Sequence, residues 1–385
     1  MVTDVVIVAG KRTPFGRFLG GLAELNAVDL ACAAGDGALQ NLDRRLIDTV
    51  IVGNVLSAGQ GMNLARQIGV RLGLPLEVPA YTVNMMCASG LQSILLAAQA
   101  IRAGDSKAVL CGGTESMSNA PYLMPKARRG YKMGDGTLVD SLLHDGLIDS
   151  FDHRHMGVSV EMLASEFHIS RIDQDEFALR SQNLFAAAAA TNTFANEVVA
   201  VGSLTQDEHP RADTIFAKLA SLKPAFSPTG TITAGNASGI NDGAAMLVVA
   251  DASFARQNNW PILAKLTGGS TQGCDPARMG LGPVHAIRKL CRKHEWSLDQ
   301  FDRIEINEAF AAQALACQKE LQISPEKLNT SGGAIAVGHP IGASGARLAV
   351  HLVQQIASGR IRNGLASLCV GGGMGIAAAF ETCDA

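Results

Sequence analysis

Short apolar runs bounded by glycine recur along the chain and alternate with longer stretches whose apolar residues fall at helical spacing. VVIVAG near Val5, TVIVGNVL near Val50, AAMLVVAD near Met246, ILAKLTGG near Ile262 and DRIEINEAF near Ile304 have the length and β-branched content of buried strands. Near-continuous apolarity, rather than strict alternation, predicts strands covered on both faces by helices. LQSILLAAQAIRAG and ARLAVHLVQQIASG are predicted helices. Each follows an Ala-Ser-Gly triplet, 88–90 and 343–345, and each ends at a glycine, Gly104 and Gly359. Start and stop are therefore both offset by 255 residues (90 and 345; 104 and 359). A strand and a glycine-rich segment follow in both copies, AVLCGGTES and LASLCVGGG, and a duplicated unit accounts for the match.

Between the copies, roughly from Met117 to Ile240, the chain is denser in Arg, Lys, His and Asp, as in PYLMPKARRGYKMGDG, and reads as an inserted lobe. Within it, ISRIDQDEFALRSQNLFAAAAATNTF predicts a strong amphipathic helix with acids in its first turn, where they complement the helix dipole. The expected division is 1–116 for an N-terminal half completed by 241–262, 117–240 for the lobe, and 263–385 for a C-terminal half.

The 385 residues, 47% of them hydrophobic, exceed what one core usually serves. A net charge of -3 gives no global pull toward nucleic acid or anionic membrane, and neither is expected as a partner. The N-terminus, MVTDVVIVAGKRTPFG, reads as a first buried strand rather than a signal peptide, and no run is long enough to span a bilayer. ETCDA at the C-terminus carries no peroxisomal or lipidation motif. Eight cysteines without a CxxC pair predict reduced thiols, and a cytoplasmic location is expected.

Three loops of small residues hold the candidate chemistry. Cys87, in NMMCASG, stands just before a predicted helix, where the dipole and unpaired N–H groups are expected to lower a thiol pKa. His339, in SGGAIAVGHPIGASG, is constrained by Gly338 and Pro340 and can serve as base toward a thiol. Cys369 ends a strand ahead of Gly371-Gly372-Gly373, which admit a ligand close to backbone N–H groups. Cys32, Cys111, Cys274, Cys291 and Cys317 read as inert small hydrophobes. Asn307, ahead of AFAAQALACQKEL, reads in isolation as a helix N-cap. The glycine cluster around Gly373 has no helix, second strand and ribose-binding acid after it, so a dinucleotide site is excluded. No Walker loop, HExxH or zinc-spaced cluster is present, and no metal or redox cofactor is expected.

Taken in order, KRTPFGRF, NMMCASG, HMG (155–157), AGNASGINDGAAM, NEAFAAQ, GGAIAVGHPIGASGAR and CVGGGMG resemble the thiolase family over essentially the whole chain. The resemblance implies an α/β fold of two β-α-β-α-β-α-β-β halves, a five-layered α-β-α-β-α core, and a loop domain. It implies Cys87 as acylated nucleophile, His339 as its base, and Cys369 as the acid/base at the alpha carbon. Asn307 would hold a water that with His339 forms one oxyanion hole, and N–H groups of Cys87 and Gly371 a second. Leu147, Phe226, Ala234, Ser238, Met279 and Phe310 would line a pantetheine tunnel, and His155 and Met156 would wall the acyl pocket in the manner of the short-chain, acetoacetyl-CoA type. Arg211 would lie near the adenine and phosphate end, with Lys218 where many relatives carry a small polar residue. Ala88 replaces the glycine usual after the nucleophile.

The implied activity is the reversible condensation of two acetyl-CoA to acetoacetyl-CoA and CoA, with coenzyme A as substrate and no cofactor, in a homotetramer tied by the segment 126–136. Three alternatives remain: cleavage of longer 3-ketoacyl-CoA chains, decarboxylative condensation on a carrier protein, and a silent CoA-binding scaffold. The second cysteine at position 369 argues against decarboxylation, which leaves no alpha proton to remove.

Overall fold

The apolar runs become strands because both of their faces are covered. In β1 (Val5–Arg12), Val6 and Val8 belong to one buried cluster and Val5 and Ile7 to another, the two-residue period of a strand placed between two layers of helices. The computed structural model describes residues 3–383, so Met1, Val2 and the last two residues of ETCDA lie outside the described residues.

The N-terminal half adds β2 (Thr49–Gly53), β3 (Ala80–Val83), β4 (Ala108–Ser116) and, from beyond the inserted lobe, β5 (Asn241–Asp251). The C-terminal half contributes β6 (Ala264–Gly273), β7 (Arg303–Ile306), β8 (Asn363–Val370) and β9 (Met374–Glu381). Their order is β7-β8-β9-β6-β1-β5-β4-β2-β3, and the short strand Gly16–Arg17 pairs off β5. Within it, β2-β4-β5-β1 and β7-β8-β9-β6 show the same sequence of pairings: parallel, antiparallel, antiparallel. The halves are continuous rather than separate sheets, but the seam between β1 and β6 is two residue pairs, Val6 with Lys265 and Ile7 with Ala264.

The helices repeat in step. α1 (Ala27–Leu39) and α2 (Leu64–Arg71) cover the outer face of the first half, and α3 (Ser89–Ala103) its inner face. α6 (Gly282–His294) and α7 (Ala311–Leu321) cover the outer face of the second half, and α8 (Ser344–Ala357) its inner face. α1 and α6, α3 and α8, and β4 and β8 each begin 255 residues apart (27 and 282; 89 and 344; 108 and 363). Three buried clusters separate five layers: outer helices, half-sheet, the α3–α8 pair, half-sheet, outer helices.

The two central helices cross at the glycines of the repeated triplets. A Cβ on Gly90 would stand 2.8 Å from Gly342 O and 2.9 Å from Ala346 N, and one on Gly345 would stand 2.7 Å from Leu91 N. Only hydrogen at both positions permits backbones this close. The consequence is functional, since the crossing brings together the loops that precede the two helices, carrying Cys87 and His339.

In the stretch between the halves, α4 (Met156–Glu166) and α5 (Arg171–Ala190) lie against the second half. The capping box of α5 forms as expected, Ser170 with Asp173. Its buried face differs from the expected apolar stripe. Gln174, Asp175, Ser181 and Gln182 are buried alongside Phe177 and Phe185, and they are held by hydrogen bonds: Asn236 Nδ2 donates to Asp175 Oδ1 at 2.9 Å, and Ser181 Oγ donates to Glu308 Oε2 at 2.7 Å. Buried polar groups retained this way fix register rather than supply hydrophobic stabilisation.

Candidate active site

Cys87 sits on a turn built under strain. Met86, immediately before it, has φ 48°, a left-handed conformation that a non-glycine residue adopts only when surroundings enforce it. Those surroundings are local. Asn84 Oδ1 accepts the Met86 N–H at 2.9 Å, Ser89 Oγ accepts the Met85 N–H at 2.9 Å, and the same hydroxyl donates to Met86 O at 2.6 Å. The sulfur is buried, and its thiol is pushed up to about 11, chiefly by burial; the N–H groups of Gly371 and of Cys87 itself act the other way. The expectation that the helix terminus lowers this thiol is therefore corrected. Dehydration of a buried thiolate outweighs the two donors, so the anion must form by handing its proton to a base.

His339 lines the same cavity as Cys87. Gly338 turns the chain at φ 104°, the His339 N–H donates to Asn241 Oδ1 at 2.9 Å, and Nδ1 lies 2.5 Å from Ser344 Oγ. Burial, and secondarily the Arg347 charge, lower the imidazole to about 3. It is consequently neutral, with a lone pair available, throughout the physiological range.

Cys369, at the end of β8, also lines the cavity; its thiol is raised well above the ordinary value by burial and then by Cys87. It holds its proton at rest. Its conjugate thiolate is a correspondingly strong base, suited to the weakly acidic alpha proton of a thioester.

Asn307 is not the N-cap that its sequence context predicts, because α7 begins at Ala311 with Phe310 in the cap position. Its N–H donates to Ser367 O at 2.9 Å, which anchors it on the strand edge instead. Asn307 Nδ2 stands 3.4 Å from His339 Nε2 and 3.5 Å from Nδ1, too long for a good hydrogen bond, and Oδ1 has no protein partner.

The cavity, about 270 Å3, is lined by Cys87, His339, Cys369, Gly371, Leu147, His155, Met156, Phe226, Ala234, Ser238, Met279 and Phe310. Sequence reasoning missed Met117, Gly146, Thr233, Ile240 and Ile341 in the same wall. Leu147 arrives on a π-helical turn, Leu142–Leu147. His155 caps α4 by accepting the Gly157 N–H at 3.0 Å and stacks on Phe226, centroids 4.5 Å apart; Phe226 in turn meets Phe310 edge-on at 5.9 Å. Arg211 and Lys218 are exposed and do not line this cavity; Lys218 pairs with Asp213 at 2.6 Å. Two supporting residues also escaped the sequence reading, Asn241 and Ser344. Ser344 had a signal, its place as the repeat mate of Ser89.

A Cβ on Gly371 would fall 2.3 Å from Met156 Cε and 3.5 Å from Met86 Cε. Gly371→Ala is expected to displace the Met156 methyl into the cavity, lowering kcat/KM for a short acyl-CoA roughly tenfold by narrowing it. Steady-state kinetics beside a melting curve checks this, and an unchanged kcat/KM refutes the close fit.

One apolar cavity thus joins two buried thiols, an imidazole and converging backbone N–H groups, the equipment of thiol-dependent acyl transfer. The Thiolase, N-terminal domain family matches residues 5–253 and the Thiolase, C-terminal domain family residues 260–382. An acetyl-CoA acetyltransferase of Pseudomonas aeruginosa is 47% identical, the match covering 97% of this chain and 98% of the relative. The crystal structure of the Bacillus anthracis acetyl-CoA acetyltransferase superposes with TM-score 0.96 at 40% identity over 99% of both chains. That of human mitochondrial 3-ketoacyl-CoA thiolase in complex with CoA does so with TM-score 0.97 at 41% identity, over 99% of this chain and 98% of the other. The chain belongs to the thiolase family.

Proposed function

We propose that this protein is an acetyl-CoA C-acetyltransferase, interconverting acetoacetyl-CoA plus CoA and two acetyl-CoA through an acetyl thioester on Cys87. The observation that carries the reading is the meeting of Cys87, His339, Cys369 and the Gly371 N–H in one small apolar cavity.

In cleavage, His339 takes the Cys87 proton and the sulfur attacks the 3-keto carbon, whose oxygen gathers charge against the N–H groups of Cys87 and Gly371. Collapse of this adduct breaks the carbon–carbon bond. The departing enolate of acetyl-CoA, its oxygen facing His339 and a water held by Asn307, takes a proton from Cys369. Incoming CoA returns a proton to Cys369, and its thiolate attacks the acetyl group. Expelled Cys87 recovers its proton from His339, so every group is restored. Condensation is the same path reversed, with the Cys369 thiolate removing the alpha proton of acetyl-CoA.

Coenzyme A is a substrate here and no further cofactor takes part. The segment 117–240 acts as a loop domain over the halves 1–116 with 241–262 and 263–385, and it walls the tunnel through Leu147, His155 and Phe226. Arg211 and Lys218, both exposed, meet the nucleotide end of CoA. A homotetramer fits the exposed Met133 and Leu138 in and beside 126–136. Among the described residues no helix is long and apolar enough to cross a membrane, and all eight cysteines are free; a cytoplasmic setting is part of this reading.

The second reading, a longer-chain 3-ketoacyl-CoA thiolase, is favoured by the likeness to the human enzyme, whose backbone matches as closely. Met86 and Met156 crowding Gly371 support the shorter substrate. Acetoacetyl-CoA is expected to be cleaved with the higher kcat/KM when compared with 3-ketohexadecanoyl-CoA. A clear preference for the long chain would transfer the assignment to the second reading.

A further inference from the structure

We propose that Ser344 is a positioning residue that holds His339 in the tautomer protonated on Nδ1, leaving the Nε2 lone pair to receive the nucleophile's proton. The inference rests on His339 acting as the base in the reading above.

Ser344 is the first residue of α8 and is buried. Its Oγ lies 2.5 Å from His339 Nδ1 and 2.9 Å from Pro340 O. A hydroxyl carries one proton and a carbonyl none. Were that proton directed to Nδ1, no proton would lie between Oγ and Pro340 O at 2.9 Å, and the hydroxyl lone pairs would face a carbonyl oxygen that also accepts the Ala343 and Ser344 N–H groups at 3.0 Å. Directed to Pro340 O, it leaves Oγ as the acceptor for an Nδ1–H, and both contacts become hydrogen bonds.

The duplicated half supplies an independent indication of this direction. Ser89 stands 255 residues earlier, also first in its helix (89 and 344). Its Oγ accepts from Met85 N–H, a backbone donor whose direction is not in question, and donates to Met86 O. With Ser344 arranged in the same way, each serine accepts a hydrogen bond from the loop that carries its half's reacting group and donates one to a carbonyl of that loop. In one half this holds the strained turn before Cys87, and in the other it sets the ring beside it. A neutral imidazole whose Nδ1 is engaged as donor can act as base only at Nε2. The rest of the loop is pinned separately, by Asn241 on the His339 N–H and by Glu115, whose Oε2 accepts the Gly342 N–H at 3.0 Å, so removing the hydroxyl leaves the backbone in place.

The test is magic-angle-spinning 15N spectroscopy of the full-length enzyme labelled at histidine, at pH 7.5, with the His339 signals assigned by their loss in His339→Asn. The expected result is a protonated Nδ1 and a bare Nε2. A protonated Nε2 in the wild-type protein overturns the proposal, whatever the variants do. Ser344→Ala is expected to populate the other tautomer and to lower kcat roughly 10- to 100-fold with KM for acetoacetyl-CoA within about twofold. Ser344→Thr, which keeps the hydroxyl, is expected to retain the wild-type tautomer. An unchanged tautomer and kcat in Ser344→Ala also overturns it. Should Ser344→Ala not fold, the wild-type and threonine spectra still decide. None of the spectra needs turnover, so a failure of the proposed activity is distinguishable from a failure of this inference.

Discussion

Cys87→Ser is expected to lower kcat for acetoacetyl-CoA cleavage by roughly 10,000-fold, the scale on which loss of a covalent nucleophile registers. A serine hydroxyl is nearly isosteric, so the fold and the cavity stay. What changes is the attacking atom. The buried thiol already resists ionisation; an alkoxide in the same dehydrated site is far less accessible, and the imidazole that neighbours it is a weak base. Two readouts check the prediction. Mass spectrometry after incubation with acetyl-CoA should show one acetyl group on wild-type Cys87 and none on the variant, and melting temperatures should agree within a few degrees. An active serine variant, or a wild-type protein that never acquires acetyl, would displace the nucleophile from this position and favour a silent CoA-binding scaffold.

Cys369→Ser separates the two half-reactions. Acetylation of Cys87 from acetyl-CoA is expected to persist largely intact, because the carbon–sulfur bond is made by the Cys87 sulfur with His339 and the N–H groups of Cys87 and Gly371, and the departing CoA thiolate, a good leaving group, can take from water the proton that Cys369 otherwise returns to it. Condensation is expected to fall by about 100- to 10,000-fold, the usual worth of a positioned acid or base. The reason lies in the raised Cys369 thiol: its conjugate base is strong enough for an alpha proton, and a serine at this site has no accessible anion. Deuterium entry into the methyl group of acetyl-CoA in D2O gives a second measure, expected to vanish in step with condensation. Loss of acetylation and condensation together would instead make Cys369 part of the nucleophilic step.

How much was legible in the chain differs between fold and site. The alternation of short apolar runs with helical stretches, and the repeated Ala-Ser-Gly, are local signals, and the strands, the central helices and the 255-residue period all appear where those signals stand. The buried face of α5 was not legible, since Gln174, Asp175, Ser181 and Gln182 read as solvent-facing until their partners are known. Asn307 was misread for the same reason: an asparagine ahead of a helical pattern resembles a cap, and only its strand-edge anchoring to Ser367 shows otherwise.

By itself, the sequence determined the residue types that can react, the small-residue loops that give them room, and the duplication that provides two such loops, because each of these depends on neighbours within a few residues. The tertiary structure alone decided what those residues experience. Arg12, from KRTPFG, finds its carboxylates at Glu197 and Asp207, 185 and 195 residues away, and Gly90 and Gly345 have purpose only where two helices cross. The Cys87 thiol was expected to be lowered by its helix and is raised instead, since its protonation is governed by how much water the whole molecule removes from around the sulfur, a sum over distant segments that no local pattern carries.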